Sequence, residues 1–123
     1  MNIWLEISHH APFRVGGWAW VRANGASVTG QAGGERGVDA ERTAQAGLAA
    51  ALRDLKEPVR LHCASDLVAA LVKPPVEVVR TSPEAGTPTA FAAAWAEFAR
   101  DKAKGRGAFA APIPKSNLAK AGV

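Results

Sequence analysis

Asn24-Gly25, set between Trp18–Ala23 and Ala26–Gln31, constrains the fold of this chain more than any other pair of residues. Asn and Gly tolerate positive φ, which a two-residue type I′ turn needs, and the flanking runs carry the β-branched and aromatic residues of strands. An antiparallel hairpin is therefore expected near the amino end. Before it, Asn2 to Ser8 alternates Ile3, Leu5 and Ile7 with Trp4 and Glu6, the period of a strand with one buried face. Between them lie His9, His10, Pro12, Gly16 and Gly17, read as a loop.

After the hairpin, glycines at 30, 33, 34 and 37 suggest a second loop. Asp39 can then cap a helix running to Leu55, with Glu41 in its first turn and an apolar stripe of Ala40, Ala44, Leu48, Ala51, Leu52 and Leu55. Val59 to Ala64 reads as a short strand. Ser65 or Asp66 caps a brief helix through Leu71, which Pro74 and Pro75 end, and Val76 to Thr81 reads as a last strand. Thr87-Pro88 opens a final helix to about Lys104, with Phe91, Trp95, Phe98 and Lys102 on one face. Residues 105–123 lack periodicity and read as a basic, Gly/Pro/Ala-rich extended tail behind a single domain at 1–104.

At 123 residues the chain has room for one core. Much of its apolar content is alanine, which buries little area, so the core must draw on four tryptophans, four phenylalanines and the Val/Leu strands. The net charge of +4 is unevenly spread: residues 100–123 hold six cations against the single acid Asp101, which leaves the first 99 residues slightly negative. A basic end favours polyanions through counterion release, although such residues commonly just solvate a helix end. No window approaches the ~20 apolar residues of a membrane span, and the amino terminus has no signal-peptide pattern, so no membrane partner and a cytoplasmic location are expected. A lone cysteine, Cys63, cannot form an intramolecular disulfide.

This order of elements resembles the ribonuclease H family, over roughly residues 2 to 104. Gly16-Gly17-Trp18-Ala19-Trp20-Val21 is similar to the family's glycine-pair-aromatic second strand. Glu6 lies 11 residues before Gly17, as the family's first catalytic acid does, and Ser8 matches a serine two residues after that acid. Glu41 to Leu52 resembles the family's first helix, and Val59 to Val68 its fourth strand and following helix. The resemblance implies an α/β fold with a mixed five-stranded sheet of order 3-2-1-4-5 flanked by helices.

It also implies two divalent cations held by acids from the first strand, first helix, fourth strand and last helix. Mg²⁺ and Mn²⁺ take hard oxygen ligands, so that chemistry needs clustered carboxylates. Here the first acid is Glu6 in place of aspartate, the helix position falls on Ala44, the fourth-strand position on Ala64, and Thr87 to Phe91 contains none. The leading expectation is thus a catalytically degenerate domain, without a cofactor, that binds an RNA/DNA hybrid or single-stranded nucleic acid through Trp18, Trp20, Arg22, Arg100, Lys102, Lys104 and Arg106. Trp18, Trp20 and Arg22 share a strand face and can form a base-stacking platform, although sheet-face packing is the commoner use. A second reading keeps the nuclease active, with Glu6, Glu41 and Asp66 as a displaced acid set and Glu6 and Asp66 holding Mg²⁺ or Mn²⁺. In the commoner role, Glu41 and Asp66 are first-turn acids satisfied by the helix dipole. A third reading is a structural or interaction module that pairs with itself or another protein.

His9, His10, His62 and Cys63 are soft ligands on strands the resemblance makes neighbours, a set zinc could accept. His62 and Cys63 are consecutive and point to opposite faces, so at most one could join. A buried, apolar role for Cys63 and exposed loop histidines are the simpler reading.

Overall fold

The computed structural model describes the whole chain, Met1–Val123. Its order is β1 (Asn2–His10), β2 (Val15–Asn24), β3 (Ser27–Arg36), α1 (Ala40–Ala51), β4 (Arg60–Cys63), α2 (Asp66–Leu71), β5 (Glu77–Arg80), α3 (Pro88–Arg106), β6 (Phe109–Pro112) and α4 (Lys115–Leu118). These build one mixed sheet of order β5-β4-β1-β2-β3-β6. β1, β2 and β3 form an antiparallel meander, while β4 runs parallel to both β1 and β5.

The expected succession 3-2-1-4-5 lies within this sheet, but the sheet has six strands, not five. The additional strand comes from the segment expected as a tail. β6 pairs antiparallel with β3, and Ile113, Leu118 and Ala121 are buried in the core. Alternation around Phe109 and Ile113 is too short to register as a strand without the β3 edge that receives it.

Glycines 30, 33 and 34 lie in β3, not in a loop. They are there because neighbours come too close for side chains: a Cβ on Gly33 would strike the Trp18 ring, and one on Gly34 would stand 2.6 Å from the Gly16 carbonyl oxygen. The hairpin turn is also one residue further on than expected. Asn24 pairs with Ser27, so Gly25 and Ala26 are its two central residues. Gly25 alone has positive φ, at 61°, which is the pattern of a type II′ turn with glycine first.

The two faces of the sheet are packed differently. On one, α1 and α2 cover Ile3, Leu5, Trp18, Trp20, Leu61 and Cys63. On the other, α3 lies on Ala19, Val21 and Ala32 through Ala96 and Ala99, with the closing segment's Ile113, Leu118 and Ala121 beside them. The alanines allow α3 to approach so closely that a Cβ on Gly17 would strike Ala96 O and Arg100 N. The expected aromatic face of this helix is consequently turned aside: Phe91 and Trp95 are half-buried at the margin of this core, and Phe98 is 55% exposed.

Candidate functional site

Glu6 occupies the centre of β1 opposite Ala19, on the face covered by α3. It is buried, and its Oε2 accepts a hydrogen bond of 2.6 Å from the Ala64 N–H, with the Ser65 N–H also directed towards the carboxylate. These donors sit where β4 ends and α2 begins, with the Ser65 hydroxyl capping α2 at Val68 N. Glu6 therefore ties β1 to the β4–α2 junction. Burial raises its pKa above the usual carboxylate value, opposed by the two backbone bonds and by the charge of Arg80.

The other acids do not join it. Asp66 is almost wholly exposed and makes a 2.6 Å ion pair with Arg80, whose Nη2 also donates to the Ala64 carbonyl. Glu41 is exposed on α1, across the sheet from Glu6. Ala44 is fully buried against the sheet, in the position where the resemblance requires a carboxylate. No group of three or more His, Cys, Asp or Glu side chains is arranged to hold a metal ion. The residues present do not fit a two-cation centre, since Glu6 stands without a second acid beside it, bonded to the Ala64 amide, and Asp66 is paired with a guanidinium.

His9, His62 and Cys63 are engaged elsewhere, and His10, which ends β1 and is not in a loop, packs against Phe13 at 4.9 Å. His9 belongs to β1 and not to a loop, with Nε2 2.8 Å from the Val38 carbonyl oxygen. His62 stacks on Trp4 at 4.7 Å and bonds Asn2 Oδ1, and burial lowers its pKa. Cys63 is fully buried, and desolvation pushes its thiol up to about 11, away from the thiolate a zinc site requires.

Trp18 and Trp20 share a face as expected, but α1 covers it and both rings are buried. Trp20 donates through Nε1 to Gln31 Oε1 at 3.2 Å. Arg22 lies over the Trp20 ring at 4.4 Å and donates to the Ala51 carbonyl at 2.8 and 3.1 Å and to Arg53 O at 3.2 Å. Ala51 O is one of the orphan acceptors at the end of α1, and Arg53 O belongs to the turn that follows it. α1 accordingly stops at Ala51 instead of running to Leu55, and Arg22 is a helix cap, not a surface cation.

The basic residues of α3 gather with others that the sequence keeps far apart. β1 and β2 are joined by a 3₁₀ turn, Ala11–Phe13, followed by Arg14 in the left-handed region at φ 47°. This turn projects Phe13, 56% exposed, beneath Lys104, whose Nζ stands 3.8 Å from the ring centroid. Lys102 Nζ lies 5.2 Å from the Phe109 ring and Arg106 Cζ 5.5 Å from it. Arg36, at the end of β3, reaches Gly107 at the end of α3. Arg14, Arg36, Lys102, Lys104 and Arg106 are all exposed, and none pairs with a carboxylate. Arg100 differs. It bonds Ser8 Oγ at 3.0 Å and pairs with Asp101 and Glu97, so it fastens α3 to β1.

Arg14, Arg36, Phe13 and Phe109 were missed by sequence reasoning because each lies in a segment read as a loop or tail. Exposed Phe13 and the unpaired Arg36 were the only local hints. Neither a known protein family nor a curated protein matches the sequence. No helix is long and apolar enough to cross a membrane.

Proposed function

We propose that this is a ribonuclease H-like domain that binds nucleic acid through the end of the sheet where α3 terminates, and does not cleave it. The observation that carries the reading is the gathering of Arg14, Arg36, Lys102, Lys104 and Arg106, all without carboxylate partners, around Phe13 and Phe109. Unpaired surface cations attract phosphates and release counterions when they bind, and rings among them supply contact area. The fold assignment is supported by the 3-2-1-4-5 succession and by Glu6 at the centre of the first strand. The reading without cleavage is supported by Ala44, by the amide-bound Glu6 and by the Asp66–Arg80 pair.

The test is anisotropy of a labelled RNA–DNA hybrid and of its separated strands, across a salt series with and without Mn²⁺. Binding should weaken steeply with salt, by a log–log slope of about 0.7–0.9 for each phosphate contacted. The Lys104→Ala, Arg106→Ala double variant should lower that slope by about 1–2. Salt-independent binding, or strand cleavage that Glu6→Gln abolishes, would overturn the reading.

A further inference from the structure

The outward face of α3 is unusual for a helix that closes one side of a sheet. Its buried side is alanine, while Phe91, Trp95 and Phe98 follow one another along its flank, the first two half-buried and Phe98 exposed, with centroids 6.2 and 5.4 Å apart. β6 extends this row with Phe109, and a groove of about 210 Å³ floored by Ala32 runs between the helix and the strand. Lys102 stands between two of the rings, 6.0 Å from Phe98 and 5.2 Å from Phe109, and Arg106 lies over the far side of the row. Alanine's close approach to Gly17 and Gly34 leaves Phe98 in solvent and the other rings half-covered.

An occupant must offer flat apolar faces to the rings and negative charge to the cations. The acids nearest the row, Glu97 and Asp101, are both engaged by Arg100, so Lys102 and Arg106 remain available. A duplex or hybrid presents phosphates but keeps its base faces stacked inside. An unpaired strand presents both. We propose that the α3–β6 face is a stacking platform for single-stranded nucleic acid, on which Trp95, Phe98 and Phe109 receive bases while Lys102 and Arg106 hold the adjoining phosphates. The inference rests on the nucleic-acid reading above and narrows its ligand from any polyanionic strand to an unpaired one.

The experiment uses the full chain, with labelled oligo-dT and oligo-rU of about 12 nucleotides, within the site sizes typical of such platforms, beside a blunt duplex and a hybrid. Phe98→Ala and Phe109→Ala should each weaken single-strand binding roughly fivefold or more, the loss of one stacked base, and leave duplex binding within about twofold. Phe98→Tyr keeps a ring and should restore wild-type affinity. Phe98 is more than half exposed, so its variants should keep the wild-type Tm and circular dichroism. Equal losses for single strands and duplex, or no loss for single strands, would overturn the platform while leaving the basic-end reading standing. If the wild type shows no salt-dependent binding to any of the four probes, both fall. If the wild type sediments as a dimer that Phe98→Ala dissociates, with single-strand affinity unchanged, the face belongs to a second copy and the platform is refuted.

Discussion

Replacing Glu6 separates a structural carboxylate from a catalytic one. Glu6→Ala leaves two backbone donors, Ala64 N–H and Ser65 N–H, without their acceptor in a buried site. An unsatisfied buried donor costs about 1–3 kcal/mol, and relief from burying a carboxylate offsets part of the sum, so a net loss of about 2 kcal/mol is expected at pH 7. In a domain of this size that lowers Tm by about 8 °C. Glu6→Gln keeps an oxygen acceptor of the same reach and removes the charge, and should stay within about 1 kcal/mol of wild type.

The pH dependence has a definite sign. Burial raises the Glu6 pKa in the folded chain above the ordinary 4.5, so the folded state holds this proton more tightly than the unfolded state. The stability contributed by that proton is fully present below the unfolded value and is lost as pH rises towards the folded one. Differential scanning fluorimetry of wild type and Glu6→Gln, from pH 4 to pH 8, should show the wild type losing stability relative to the variant as pH rises from about 4.5. A wild type that gains on the variant over that interval would refute the desolvation argument. An unchanged Tm for Glu6→Ala would refute the tie between β1 and the β4–α2 junction. So would a Tm rise of several degrees with millimolar Mg²⁺ that Glu6→Gln abolishes, since a bound cation stabilises the folded chain by mass action.

Arg22→Ala uncovers the last carbonyls of α1 and the Trp20 ring together, and calorimetry should show a loss of about 1.5–3 kcal/mol. Gly17→Ala drives a methyl into the backbone of α3 at Ala96 and Arg100, where only movement of the whole helix makes room. A destabilisation of about 3 kcal/mol by urea titration is expected, and the Arg100–Ser8 bond should be loosened with it. Leu118→Ala tests whether the last residues belong to the core. Leu118 is 5% exposed beside Ile113 and Ala121, and its truncation should cost about 2–4 kcal/mol in the same assay.

Local chemistry carried most of the elements. Asp39 caps α1 through Arg42 N at 2.8 Å, Thr87 caps α3 through Ala90 N at 3.2 Å, and the alternation of Ile3, Leu5 and Ile7 puts Glu6 on the other face of β1. Helix caps and strand alternation are set by neighbours within a few residues, so they are visible in a linear chain. Alanine at 44 and 64, where the ribonuclease H resemblance implies acids, was equally visible.

The tertiary structure decided matters that depend on what a residue meets. Gly30, Gly33 and Gly34 resemble a loop until Leu118, the Trp18 ring and α3 respectively close on them, when they become the residues that a strand there requires. Phe109 to Ala121 resembles a tail until the β3 edge and the Ala19–Val21–Ala32 face offer it pairing and burial. Which side of α3 faces inward also lay beyond local pattern: aromatic periodicity marked Phe91, Trp95 and Phe98, but the glycine-lined sheet admits the alanine side, which leaves Phe91 and Trp95 half-buried at its margin and Phe98 exposed. Glu6 followed the same division. Its place in the first strand was set by sequence spacing, and its task was set by two amide donors that arrive from residues 64 and 65 only when the sheet closes.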